Sequence, residues 1–305
     1  MIQIRKLGQF AGHKDCIYAI AKSNKPNHFY SGAADGYIVE WSQDEKTDGV
    51  LVSRVSRPVY SFLVNDELSQ LLVGTAQGSL HCIDLTKQSE TRNVEAHTLG
   101  LYDMKYYQNQ LITVGGDGIV NVWDKQNLQR LAKIKGSDKS ARCLVIHPNE
   151  TEFAVGFSDY SIRIYDTETY QLKRRLDAHS NSVFALSYSP DGKYLLSGGR
   201  DAMLKIWDME DDFSLFQDIP AHTLHINTIV YNQDATMLAT GSMDKTIKIW
   251  DAHSFKLLKV IDKARNQSHS SSVNKLIWLD NYKLVSVSDD KMAMLWEVSR
   301  VAKIS

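Results

Sequence analysis

The sequence predicts an all-β fold assembled from seven copies of one four-stranded unit, and three observations predict it. Seven short endings recur along the chain: IVEWS at Trp41, LHCID at Ile83, VNVWD at Trp123, IRIYD at Tyr165, LKIWD at Trp207, IKIWD at Trp250 and AMLWE at Trp296, at intervals of 42, 40, 42, 42, 43 and 46 residues. Six residues before each ending stands a turn residue, in order Asp35, Gln77, Asp117, Asp159, Asp201, Asp244 and Asp290. Between them, short β-prone runs alternate with Gly- and Asp-rich turns, and no stretch sustains the 3.6-residue apolar period of a helix.

A repeat of about 40 to 45 residues that ends in Trp-Asp after an upstream Gly-His marks the four-stranded blade of a β-propeller. The fifth unit displays the parts. SVFALSY, KYLLSGG and MLKIWD read as strands, with SPDG and GRDA as the turns between them, because Asp and Gly accept the backbone angles of a reversal. A fourth strand follows each ending, as QLKRRLD does after Tyr165.

As a set these motifs resemble the WD40-repeat family, and the resemblance covers residues 1–305 as one seven-bladed propeller. In that family strand a of each blade is innermost, strand d is outermost, and the two chain ends share the last blade. The segment Ile2–Phe10 precedes the first Gly-His and has no blade of its own, while Ser299–Ser305 is too short for a well-formed outer strand. Residues 1–10 are therefore expected to supply strand d of blade seven, closing the ring and hiding edges that template aggregation.

Taken in order, blades one, three, five, six and seven repeat one polar set. His13, His97, His179, His222 and His269 stand four residues before the first apolar residue of strand a, and Ser31, Thr113, Ser197, Thr240 and Ser286 stand four before the turn aspartate. With Asp35, Asp117, Asp201, Asp244, Asp290 and Trp41, Trp123, Trp207, Trp250, Trp296, the resemblance makes these the family's structural tetrads of hydrogen-bonded side chains. Blades two and four hold Val55 and Ser137 at the histidine position and Val73 and Val155 at the hydroxyl position, which predicts apolar packing and lower rigidity there.

Composition narrows the function. The 305 residues are 43% hydrophobic and carry a net charge of −1 from 35 basic and 36 acidic side chains, which excludes bulk electrostatic capture of nucleic acid or an anionic membrane. Cys16, Cys82 and Cys143 are odd in number and far apart, which excludes a disulfide framework and a structural zinc site. The amino terminus lacks the apolar core of a signal peptide, and no run reaches the roughly 18 apolar residues of a spanning helix. Together with free thiols, this predicts a cytoplasmic protein with no membrane partner. A Ser, a His and an Asp in one blade imitate a hydrolase triad, but five copies of one constellation suit a scaffold rather than an active site. The Gly-rich turns are not strand-to-helix phosphate loops, no calcium loop is present, and the metal ligands of a propeller lactonase are missing. The sequence thus predicts no enzyme, metal or cofactor.

Function is then expected on surfaces, as a monomeric, non-catalytic scaffold that docks a protein or peptide. The resemblance puts the d–a loops and b–c turns on one rim, the top, where three columns of residues align. The residue after the first apolar position of strand a is Tyr18, Tyr60, Tyr102, Arg142, Phe184, Asn227 or Asn274. Two residues before that one come Cys16, Pro58, Gly100, Ser140, Ser182, His225 and Ser272, and just before each turn residue Ala34, Ala76, Gly116, Ser158, Arg200, Met243 and Asp289. Aromatics and Arg are enriched in interface hot spots, so Tyr18, Tyr60, Tyr102, Arg142 and Phe184, with Arg200, His225, Asn227, Met243 and Asn274, are the candidate binding residues. The competing reading makes the aromatics core, since strict alternation turns Phe184, Leu186 and Tyr188 toward the neighbouring blade. Arg142 and two asparagines in the same register argue for a partly wet position. Asp262–Ser268 adds a longer, basic loop to the top rim, and the acidic run Asp208–Asp218 falls at the opposite rim's c–d turn. The alternative function is an RNA- or ribosome-assembly factor that uses a basic flank from Leu128–Arg142 and Gln171–Arg175.

Overall fold

In the computed structural model, which describes residues 2–43 and 48–300, the chain forms seven four-stranded sheets. The fold is an all-β, seven-bladed β-propeller. Strands a to d follow in chain order within a blade, as in Val183–Tyr188, Tyr194–Gly199, Met203–Asp208 and Ser214–Pro220 of blade five. Strand b there is buried along almost its whole length, while strand d is mostly exposed. Apolar runs such as YLLSG suit a strand covered on both faces.

The chain divides into two compact units, Met1–Val59 with Asn227–Ser305, and Tyr60–Ile226. Blades one, six and seven belong to the first, blades two to five to the second. Within the first unit, Ile2–Ala11 pairs antiparallel with Met292–Arg300, from Ile2 opposite Arg300 to Ala11 opposite Met292. This strand buries Ile2 and Phe10. Ile2 joins the cluster of Trp296 and Val298, and Phe10 meets Phe29 edge-on with ring centroids 5.1 Å apart. Met1 and residues 301–305 lie outside the described residues.

Four blades show one chain of hydrogen bonds. In blade five the Trp207 indole donates to Ser197 Oγ (2.9 Å), Ser197 Oγ lies 2.8 Å from His179 Nε2, and His179 Nδ1 lies 2.9 Å from Asp201. A carboxylate only accepts, so Nδ1 carries the imidazole proton and the serine hydroxyl donates to Nε2. The same chain links Trp41, Ser31, His13 and Asp35, then Trp123, Thr113, His97 and Asp117, then Trp296, Ser286, His269 and Asp290. In blade six Trp250 donates to Thr240 Oγ1 at 3.0 Å, and His222 is buried. In blades one, three, five and seven the aspartate also takes backbone N–H groups on both sides of its turn, as Asp201 does from Ser180 and Met203. Burial alone would raise these carboxyls. The histidine partner and the amides outweigh it, holding Asp117 and Asp201 down at about 2. The tetrads thus tie each d–a loop to the b–c turn of its blade.

Three expectations need correction. Blade four does not rest on apolar packing alone: Ser137 donates to Asp159 at 2.7 Å, and Arg163 pairs with the same carboxylate at 2.6 Å while lying over the Phe157 ring. A hydroxyl and a guanidinium take over the work of the missing imidazole. The surplus at Asp262–Ser268 is not all loop; it contains one helical turn, Lys263–Asn266, capped by Asp262 accepting from Arg265 N. Only the first part of Asp208–Asp218 is turn, because strand d of blade five already begins at Ser214.

Candidate functional site

The top-rim columns are fixed by backbone geometry. In five blades the residue before the turn aspartate donates its N–H to the carbonyl of the d–a loop residue: Ala34 to Cys16, Gly116 to Gly100, Ser158 to Ser140, Arg200 to Ser182 and Asp289 to Ser272. These bonds hold loop and turn at the same end of each sheet.

The column-one residues occupy a special backbone position. Register shifts fall between Ile17 and Ala19, Leu101 and Asp103, Ala141 and Cys143, Val183 and Ala185, and Val273 and Lys275. Tyr18, Tyr102, Arg142, Phe184 and Asn274 are therefore the extra residues of β-bulges, and a bulge re-aims its side chain. Strict alternation fails at this point of the strand. All five side chains are half-buried, as are Tyr60, Asn227 and His225.

Within the second unit these side chains form a ladder. Tyr60 and Tyr102 stack with centroids 5.7 Å apart and planes 16° from parallel. The Arg142 guanidinium lies 4.6 Å from the Tyr102 centroid and 5.5 Å from that of Phe184. Phe184 meets the His225 ring at 5.6 Å. Gly100 makes room for the stack: a Cβ there would meet Tyr60 Cε2 at 3.2 Å and Tyr102 Cε1 at 3.3 Å. The only hydrogen bond of Arg142 among the described residues runs from Nε to Ser158 Oγ (2.9 Å), and no carboxylate among them pairs with Arg142 or with exposed Arg200. Burial, then the charge of Arg200, lowers the His225 pKa. Burial and the neighbouring Tyr102 raise the Tyr60 hydroxyl despite Arg142.

The first unit uses its column differently. Asn227 Nδ2 donates to Ser272 Oγ (3.1 Å) and to Val273 O (2.9 Å), and Asn274 Nδ2 donates to Ile17 O (2.9 Å) and Asp289 (2.7 Å). Both amides staple one blade to the next. Tyr18 is half-buried beside Cys16, and Met243 is 43% exposed. Leu99 is a neighbour of the ladder that the columns do not contain. It is 57% exposed, and a Cβ on Gly116 would touch both Leu99 and Tyr102. Its signal in the sequence is an apolar residue in an otherwise polar loop, directly before Gly100.

Part of the basic flank is paired with carboxylates. Lys173 pairs with Glu152, Arg174 with Asp212, Arg175 with Asp177 and Lys135 with Asp138. Cys82 and Cys143 are buried, and burial raises the Cys82 thiol to about 11. Among the described residues no group of three or more His, Cys, Asp or Glu could hold a metal ion.

Repeated blades, the tetrads and a polar-aromatic rim define a WD-repeat propeller. The chain belongs to the WD40 family: the profile described as WD domain, G-beta repeat matches residues 4–42, 128–166, 170–208, 213–251 and 261–297, more than half of the chain. Members of this family are generally non-catalytic, and the propeller fits a scaffold for protein interaction. WD repeat-containing protein 90 of Xenopus tropicalis is 28% identical over 170 residues, 55% of this chain and 9% of that protein. U3 small nucleolar RNA-associated protein 21 of Saccharomyces cerevisiae is 26% identical over 174 residues, 56% of this chain and 18% of that protein. Striatin of Mus musculus is 23% identical over 233 residues, 68% of this chain and 30% of striatin. The chain thus spans less than a third of the length of each of these relatives. The WD40 β-propeller domain of Doa1 matches with a TM-score of 0.85 at 16% identity, covering 96% of this chain and 97% of that one, which shows the fold.

Proposed function

We propose that this propeller is a non-catalytic scaffold that binds a short acidic peptide segment of a partner protein on the ladder of Tyr60, Tyr102, Arg142, Phe184 and His225. One observation carries the reading: Arg142 is clamped between two ring faces while its terminal N–H groups meet no carboxylate. A guanidinium held in this way is preorganised for a bidentate grip on a partner's carboxylate, with little rotamer entropy left to lose. The rings and Leu99 supply apolar contact, and Arg200 adds a second cation without an acidic partner. The name of the yeast relative associates it with RNA. The pairing of Lys173, Arg174 and Arg175 with carboxylates weighs against that stretch as a backbone-binding flank for nucleic acid.

A peptide array probed with the purified chain tests this. Peptides with an Asp or Glu next to an apolar or aromatic residue should be enriched, and Arg142→Ala should weaken them by about 30-fold, the hot-spot scale of ~2 kcal/mol. Enriched peptides that bind the variant equally well would reject the reading. Binding that collapses steeply with salt and follows nucleic acid instead would favour the alternative.

A further inference from the structure

A second feature of the Tyr60–Ile226 unit lies where blade four lacks its tetrad. With Ser137, Val155 and Tyr165 in place of histidine, hydroxyl residue and tryptophan, a recess of about 460 Å³ opens, lined by Lys135, Gly136, Ser137, Asp138, Lys139, Asp159 and Arg163. Three segments bring cations to it: the end of strand d of blade three, the d–a loop, and strand c of blade four. Its two carboxylates are unequal. Asp159 is saturated, accepting from Ser137 Oγ, from Ser161 N and Oγ and from Arg163 Nη2. Asp138 stands in solvent, its side chain 96% exposed, and its 3.2 Å contact with Lys135 is the weak kind that water and salt dissolve.

Two observations point to a ligand. Arg163 Nε is buried with no hydrogen-bond partner among the described residues, and a buried orphan donor calls for an unseen acceptor. Lys139 has no carboxylate partner among the described residues. Arg163 and Asp159 cancel one another, and Asp138 offsets one of the two lysines, so the recess keeps a positive surplus that Lys139 and Lys135 present to an anion.

We propose that this recess binds a phosphate group, held by Lys135, Lys139 and the unpaired donors of Arg163. A phosphate monoester carries about −1.5 to −2 charges near neutral pH and offers three acceptor oxygens. The phosphate comes either from a free anion or from a phosphorylated side chain.

Titration of the whole chain with inorganic phosphate, with a phosphoserine peptide, with its unphosphorylated twin and with acetate at matched ionic strength tests the site. Amide resonances of Gly136, Ser137 and Lys139 report it by NMR. Both phosphate probes should shift these amides, acetate and the unmodified peptide should not, and Lys135→Gln with Lys139→Gln should weaken phosphate at least tenfold. Both lysines are exposed, so the double variant keeps its fold, and an unchanged melting temperature verifies this. A tighter phosphopeptide identifies the source as a modified partner, and tighter inorganic phosphate identifies a free anion. Equal shifts from acetate, no shift at millimolar phosphate, or undiminished binding in the folded double variant would overturn the assignment. The ladder variant Arg142→Ala should bind phosphate as the native chain does, which separates this site from the peptide site.

Discussion

Arg142 lies over the face of Tyr102, its guanidinium carbon 4.6 Å from the ring centroid. Tyr102 and Arg142 are both bulge residues, brought together from neighbouring blades rather than along one strand. Because neither is fully buried, Tyr102→Ala and Arg142→Ala should cost less than about 1 kcal/mol of stability and about 2 kcal/mol or more of peptide affinity. Chemical denaturation and titration of the same variants check this. Were the rings core, truncation would instead cost roughly 3–5 kcal/mol of stability and leave affinity alone.

Gly100 offers a subtler probe. A methyl group there presses on Tyr60 and Tyr102 at 3.2 and 3.3 Å and on the Ala76 carbonyl at 3.2 Å, and the rings and the turn must give by a few tenths of an ångström. Gly100→Ala should weaken peptide binding several-fold with the melt nearly unchanged. Undisturbed affinity would show that the stacked geometry is not what the partner reads.

The tetrads carry stability. His179→Ala leaves Ser197 and Asp201 short of a partner inside blade five, and should destabilise the protein by roughly 1–3 kcal/mol. The folded fraction should bind peptide as before. An intact melt with lost binding would instead make the histidine functional.

Acid should act through the same groups. Asp117 and Asp201 are held at about 2 against an ordinary 3.8, so the folded state resists their protonation. Each contributes up to about 2 kcal/mol that is complete above about pH 4 and disappears as pH falls through about 2. His13, lowered from 6.5 mainly by burial against the pull of Asp35, binds its proton more readily unfolded, so stability also declines as pH drops below about 6.5. Melting curves against pH should therefore fall in two stages, and Asp201→Asn should flatten the lower one. A single fall near pH 4 with no effect of the substitution contradicts this.

Removing residues 1–11 strips the outer strand from blade seven and exposes the edge of Met292–Arg300. A chain that begins at Gly12 should aggregate or lose its cooperative transition. One that stays monomeric with the same melting temperature would show that the strand is dispensable.

Much of this architecture was legible because the repeat states its own register. The offset of six residues between Asp201 and Trp207, and the four between His179 and Val183, mark one turn and one strand start in every such unit. The bulges were not legible. A period-two pattern assigns Phe184 to the same side as Leu186, and nothing local announces the extra residue between Val183 and Ala185. The polar repair of blade four was hidden for a related reason. Arg163 lies in strand c, away from the tetrad positions, and only folding shows that it reaches Asp159. Their register makes Asn227 and Asn274 wet rim residues, yet their donors face neighbouring backbone, a pairing set by tertiary contact rather than spacing.

The pairing of Ile2–Ala11 with Met292–Arg300 also fixes the order of events during synthesis. Within this propeller the strand made first has its hydrogen-bonding mate in the strand made last, nearly 300 positions downstream. At roughly 5–20 residues per second, the early strand waits some 15–60 seconds with an unpaired edge. Its alternation of Arg5, Lys6 and Gln9 with Ile2, Ile4 and Phe10 gives it charged and polar groups that discourage premature partners meanwhile. Blade seven is thus a checkpoint on completion of the propeller, because a chain cut short before Met292 has nothing to receive Ile2–Ala11.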